Sequence, residues 1–267
     1  MHHIKIILIV TLMLSFINTK SMAQNKPKTL VCYGKIDHNK IKGYNLLVLE
    51  ESHYTKEEVD ILKSNNVKVI AYLSLAEINA HSKYYNYLKD YTLGKNSIWN
   101  SFHLDLTSLE LKNRLHVIID EILGKGFDGL FLDNIDNVCN FGPNPNFKEY
   151  LIELLKEIRN RNKDIFLIQN SGLEIIDKTY KYVNMVALES VITNYNFETN
   201  AYGLREKSET ANRLSDLEVL IDKYTLKILL IEYANKSVLY NKTKKLLLKT
   251  GYDYFIGNID LQTIPKF

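Results

Sequence analysis

Several short apolar runs in this sequence end on a side chain that can donate, accept or hold a proton. GLFLD stops at Asp133, with Asn134 and Asp136 just beyond it. FLIQN stops at Gln169-Asn170, MVALE at Glu189, and LLIE at Glu232 with Tyr233 next. Nearer the N-terminus, LLVLE stops at Glu50-Glu51, and VIAYLS at Ser74 with Glu77 three residues on. Buried runs have no need of polar tips for stability, so tips repeated at six places point to a site. Two carboxylates facing each other across a cleft suit cleavage of a glycosidic bond. One holds its proton for the leaving oxygen, and the other stays ionised to attack the anomeric carbon or activate water.

Chemistry of this kind needs elements that aim the two acids at each other. Side chains alternate along a strand, so Asp133 shares a face with Phe131 and Gly129, while Leu130 and Leu132 face away. Glu189 likewise shares a face with Ala187 and Met185. If the branched residues pack against helices, both acids point inward. The runs predicted as strands are Leu30–Tyr33, Leu46–Glu50, Val67–Ser74, Gly129–Asp133, Ile165–Asn170, Val183–Glu189, Lys227–Glu232 and Tyr252–Gly257. Between them lie longer segments of 3.6-residue periodicity. Thr55…Glu58, Thr107…Glu110, Asn146…Glu149 and Ser215…Glu218 have the spacing of capping boxes. The helix expected over Ser108–Lys125 buries Leu111, Leu115, Ile118, Ile119 and Ile122 on one face. Apolar strands alternating with amphipathic helices imply a parallel sheet covered on both sides. Eight of them in one domain predict a (β/α)8 TIM barrel, whose active site lies at the C-terminal ends of the strands. A doubly wound open sheet is the competing architecture. Phe102–Leu106 is assigned to a long loop on the catalytic face. Strands four and six put their backbones about 9–10 Å apart, which leaves retaining and inverting stereochemistry both open.

The sequence around these tips resembles glycoside hydrolase family 114. The resemblance rests on GFDGLFLDNIDNV (Gly126–Val138), FHLDLTS (Phe102–Ser108), IQNSGLEII (Ile168–Ile176) and ALES (Ala187–Ser190), and extends from the first strand to the last. It implies an endo-α-1,4-polygalactosaminidase on a (β/α)8 barrel. It further implies Asp133 as nucleophile, Glu189 as general acid/base, and Asp105 and Asn170 as substrate-binding positions. Asp136 joins them, although its type also suits an Asx turn. Asp105 equally suits the N-terminus of the following helix. Glu232, with Glu50 and Glu51, is expected as a rim acid whose charge complements an amine-bearing polymer. Tyr72, Tyr233 and Trp99 are expected to pack against the C–H faces of sugar rings. The alternative is a barrel that binds an aminosugar polymer without cutting it.

Other classes fit poorly. Met1–Ala23 has a basic start, an apolar core over Ile6–Ile17 and small residues at Ser21-Met22-Ala23, the pattern of a signal peptide. An exported protein starting near Gln24 is expected, with the barrel over 24–267 and no stable membrane insertion after cleavage. Without Lys5 and Lys20 the 34 basic residues fall to 32 against 31 acidic ones, which is no nucleic-acid footprint. The two cysteines, Cys32 and Cys139, make no disulfide framework, and Cys32 in its apolar run reads as a small core residue. The seven histidines show no ligand spacing, so no metal or cofactor is expected. The loops after the last two strands contain only Gly257, against a phosphate-binding barrel. The expected partner is a polysaccharide; the sequence does not specify an oligomeric state.

Overall fold

A computed structural model describes residues 28–267, so the expected signal segment lies outside the described residues. Eight parallel strands form the central sheet: β1 Thr29–Cys32, β2 Leu46–Glu50, β3 Val69–Ser74, β4 Gly129–Asp133, β5 Phe166–Asn170, β6 Met185–Glu189, β7 Ile228–Tyr233 and β8 Asp253–Gly257. They lie side by side in chain order. At the seam between β8 and β1, the Tyr33 N–H donates to Leu261 O at 2.7 Å. A Cβ on Gly34 would lie 2.0 Å from Gln262 O, so only glycine permits this approach. The sheet is thus a barrel and not the doubly wound alternative. The expected strand bounds hold to within two residues.

Helices α1 Lys56–Asn65, α2 Leu109–Gly124, α3 Lys148–Arg161, α4 Lys207–Tyr224 and α5 Ser237–Thr250 cover the outside. Three short helical turns over residues 173–182 stand in for a helix after β5. Strand register sorts the core. Val48, Ile70, Phe131, Ile168, Ala187 and Leu229 are linked by register and fill the interior. Their sequence neighbours face the helices: Val186, Leu188, Leu230 and Ile256 pack with Leu217 of α4 and Leu247 of α5. Each such aliphatic side chain contributes about 2 kcal/mol by leaving water.

The capping boxes fare unequally. Thr55 caps α1 with both halves of its box formed, Glu58 N–H to Thr55 Oγ1 at 3.3 Å and Thr55 N–H to Glu58 Oε2 at 3.0 Å. Helix α2 is capped by Ser108, one residue later than expected, and buries the five predicted apolar residues. Helix α3 starts after Phe147 with no side-chain cap. Ser215 and Glu218 lie inside α4, which starts two turns earlier at Lys207. Phe102–Leu106 is also corrected. Ser101–Leu104 is the central strand of a three-stranded antiparallel sheet with Glu77–Asn79 and Thr92–Asn96, built into the connection after β3. A second insertion, a hairpin of Thr193–Asn196 and Ala201–Leu204, follows β6.

Candidate active site

Register determines which polar tips meet. Residues paired across parallel neighbours point to the same side of a sheet. Glu50 pairs with Tyr72, Ser74 with Asp133, and Glu189 with Ile231. Asn170 pairs with Ala187, two residues before Glu189. The interior face at the C-terminal mouth is therefore ringed by Glu50, Tyr72, Asp133, Asn170, Glu189 and Tyr233.

Asn170 joins the two acids. Its side-chain Nδ2 donates to Asp133 Oδ1 at 2.7 Å and to Glu189 Oε1 at 2.8 Å. Those two oxygens can be no further apart than the two bonds laid end to end, about 5.5 Å, which is short of the roughly 6.5–9.5 Å of inverting glycosidases. The second oxygen of each acid is held by a phenol. Tyr72 Oη donates to Asp133 Oδ2 at 2.8 Å, and Tyr233 Oη donates to Glu189 Oε2. Burial, reinforced by the adjacent carboxylates, holds both phenols well above their usual pKa, so they remain donors. Glu189 is pushed up to about 7, first by burial and then by the charge of Asp133, against the lowering effect of its bonds to Tyr233 and Asn170. Asn170 is itself buried, and its Oδ1 has no partner among the described residues. That orphaned acceptor is the cost of turning both N–H bonds toward the acids.

The backbone repeats one device three times. Asn134, Ser171 and Ser190, each directly following Asp133, Asn170 or Glu189, are left-handed, with φ of 59°, 61° and 54°. Asparagine tolerates this region and serine does so less readily. Ser171 N–H reaches Ala187 O at 2.8 Å and Ser190 N–H reaches Ile231 O at 2.9 Å, so each turn is tied to the next strand. Ser74 Oγ donates to Asn134 Oδ1 at 2.6 Å and fixes the turn after Asp133.

The remaining predicted residues are placed as follows. Asp136 stands open to solvent beyond β4; local desolvation, then the charges of Asp133 and Glu77, raise its pKa. Trp99 is half exposed at the turn of the three-stranded insertion and meets Phe197 of the hairpin edge-on at 5.6 Å. Asp105 turns to its own helix entry, accepting from Thr107 N–H at 3.1 Å and Thr107 Oγ1 at 2.6 Å, and none of its bonds reaches the acid pair. Glu232 is corrected outright. It is fully buried, and its oxygens accept from the N–H groups of Val191, Ile192 and Thr193 at 2.7–2.9 Å and from Thr193 Oγ1 at 2.6 Å, so nothing is left for a substrate. Glu51 is buried as well and is held by Lys83 and Lys125. Cys32 and Cys139 are both free thiols, and Cys32 is buried in β1. No group of three potential metal ligands occurs among the described residues.

Two residues lie near strand ends in the sequence, yet type and spacing give neither its role. Tyr33 leaves β1 on the interior face and packs its ring 4.5 Å from Tyr72; alternation from Val31 would have found it. Buried Glu77 accepts from Ser101, from Asn137 at 2.9 Å and from Asn96 at 3.3 Å, which pins the three-stranded insertion to the turn after β4. That cluster joins all three strands of the insertion to the turn after β4, and no local pattern encodes it.

Comparison with known proteins gives the family and similar folds. The profile of glycoside-hydrolase family GH114 matches residues 18–264. The fold is similar to the glycoside hydrolase domain of PelA from Pseudomonas aeruginosa, with a TM-score of 0.78 and 20% identity, covering 88% of this chain and 96% of that one. It is also similar to Aspergillus fumigatus Ega3, solved in complex with galactosamine, with a TM-score of 0.70 and 16% identity over 90% of this chain and 93% of that one. An uncharacterised protein of Methanocaldococcus jannaschii is 23% identical over 239 residues, 81% of this chain and 65% of its own length. One of Thermotoga maritima is 21% identical over 205 residues, 70% of this chain and 61% of its own. The chain spans less than two thirds of these curated relatives.

Proposed function

This chain belongs to glycoside-hydrolase family GH114, and from that premise we propose that it cleaves α-1,4 linkages within a galactosamine-containing polysaccharide, with Asp133 as nucleophile and Glu189 as general acid/base. The observation that carries the reading is the single Asn170 amide bonded to both acids, which keeps them closer than the roughly 6.5–9.5 Å of an inverting mechanism and so supports a retaining one. Environment separates the roles. Glu189, pushed up to about 7, keeps its proton near neutrality and can deliver it to the leaving oxygen. Asp133 accepts from Tyr72 Oη on one oxygen and from Asn170 Nδ2 on the other, which fixes the carboxyl in place for attack. Attack at the anomeric carbon expels the leaving sugar and forms a glycosyl-enzyme ester. Glu189, now ionised, takes a proton from water, which releases the sugar with its configuration retained.

The amino sugar is supported by Ega3, whose structure holds galactosamine, and by Glu50 and Asp136, carboxyls that would attract an ammonium at the mouth. Export is part of the same proposal and is tested by N-terminal sequencing of protein recovered outside the cytoplasm. An intact Met1 would overturn it.

The direct test is turnover on a partly deacetylated α-1,4-galactosamine polymer, with products read by mass spectrometry and anomers by NMR. Wild type should release internal fragments with retained configuration, Asp133→Asn should abolish release, and Glu189→Gln should slow it by about 10²–10⁴. Cleavage at the wild-type rate by both variants sinks the assignment. A wild type that binds the polymer and never shortens it supports the binding-barrel alternative.

A further inference from the structure

A groove of about 600 Å³ opens beside the mouth, between the hairpin after β6 and the start of α5. Asn200, Tyr202 and Leu204 line its hairpin wall, and Asn235, Lys236 and Lys242 line the other. Both walls are tethered to the Glu189 side of the site. Asn235 lies two residues past Tyr233, which donates to Glu189. The hairpin starts at Thr193, bound to Glu232 of the same strand β7. Arg205 closes its base, donating from Nε to Ser190 O at 2.6 Å.

The wall chemistry is that of a sugar site: an aromatic ring and an aliphatic side chain for C–H faces, and two amides for hydroxyl or acetamido groups. Tyr202 is held in place by the Ile259 N–H on its hydroxyl at 3.1 Å and by Tyr195, its ring 4.7 Å away. Charge sets the groove apart from the acid-lined mouth. Lys236 and Lys242 are exposed and form no salt bridge among the described residues, and the N-terminus of α5 adds its own positive potential.

We infer that this groove binds the leaving-group side of the polymer and selects an N-acetylated unit there over one carrying a free amine. The inference rests on the roles proposed above, since Glu189 as acid marks the leaving side. A protonated amine would be repelled by the two lysines, whereas an acetamido group is neutral and can pair with Asn200 and Asn235. The acid-rich side of the mouth would hold the charged unit, so the enzyme would read the acetylation pattern across its cleavage point.

The test uses the full-length protein and α-1,4-galactosamine oligosaccharides of mixed acetylation, with products of limited digestion sequenced by mass spectrometry. Acetylated units should be enriched about tenfold in the first positions on the leaving side. The preference should be lost in Lys236→Glu/Lys242→Glu, which should also cleave fully deacetylated oligomers faster than wild type. Because both lysines are exposed, the double variant should fold, as checked by its melting temperature; Lys242→Glu alone should give a partial shift. Salt should weaken the wild-type preference. No leaving-side preference in wild type, or the same preference in the double variant, overturns the inference while the hydrolase reading stands. Absence of any cleavage by wild type overturns both.

Discussion

Glu189 and Glu232 close similar runs, VALE and LLIE, on neighbouring strands β6 and β7, yet one opens to the mouth and the other is sealed inside the wall. Register explains the difference. Ile231, not Glu232, pairs with Glu189, so Tyr233 is the β7 residue that turns inward and Glu232 turns away. The doublet Gln169-Asn170 divides in the same manner: Asn170 bridges the acids, while Gln169 faces outward and accepts from Thr179 Oγ1 at 2.7 Å. Glu50 looks into the barrel beside Tyr72, and Glu51 is buried against Lys83 and Lys125. Parity along the strand, more than residue type, divides polar tips that meet in the mouth from polar tips that hold loops in place.

Substituting the two glutamates separately puts the most strain on this contrast. Glu189→Gln should lower kcat/KM by about 10²–10⁴, the range for losing a general acid, and leave the fold intact. Glu232→Ala strands three backbone N–H groups and a hydroxyl, so it should cost about 3–5 kcal/mol of stability in denaturant titration. Its turnover per folded molecule should stay near wild type. A Glu232→Ala protein that is fully folded yet inactive would break the division between the two rings.

Titration gives a second expectation, next in size. The folded pKa of Glu189 lies near 7, above its ordinary value of 4.5. The folded state thus holds this proton more tightly than the unfolded chain. The resulting stability is complete below about pH 4.5 and is lost as pH rises through 7. Glu189→Gln has no proton to lose there. It should match wild type in unfolding free energy near pH 4 and exceed it at pH 8, by at most about 3 kcal/mol and by less to the extent that the open mouth admits water. Equal melting curves at pH 8 would mean that burial does not strain the ionised acid. Tyr233→Phe should act more gently. It removes a donor that favours the charged form, so the alkaline limb of kcat/KM should shift to higher pH, with about a tenfold loss of rate. A limb that shifts downward would contradict the hydrogen bond.

Much of the barrel was legible because its signals are local. Strand-length apolar runs and helical periodicity repeat along the chain, and alternation within GLFLD and MVALE points Asp133 and Glu189 to the interior. The same parity argument, carried one strand further from Glu189, separates Glu232 from Tyr233, but it requires the register between strands, which no single run contains. Phe102–Leu106 reads as loop because the run is short, and its strand partners carry no stronger signal: Glu77–Asn79 has three residues, and Thr92–Asn96 is largely exposed. Ser215…Glu218 has the spacing of a box with no helix start, since Lys207 had already begun α4 and the helix continues through it. Asp105 satisfied its helix entry first. The groove beside α5 lies between the hairpin insertion and a helix start distant from it in sequence, so its lysines carry no signal until the fold places them opposite the hairpin.

The smallest effect tests the aim of the inward ring. Ser171 and Ser190 hold left-handed conformations that glycine adopts without steric penalty. Ser171→Gly and Ser190→Gly should therefore stabilise the protein slightly, by about 0.5 kcal/mol after glycine's greater loss of freedom on folding. Valine has the opposite effect and should cost about 2 kcal/mol at either site. Thr225, left-handed at the C-terminal cap of α4, supplies the comparison. Thr225→Val keeps the β-branched shape already tolerated there, so it should change stability little and keep its kcat, because no mouth residue follows from that turn. Ser190→Val should lose stability and kcat together, because the turn it distorts directs Glu189 toward Asn170. Equal kcat values for the two valine variants, measured well below their melting temperatures, would mean that strand register alone aims the acids.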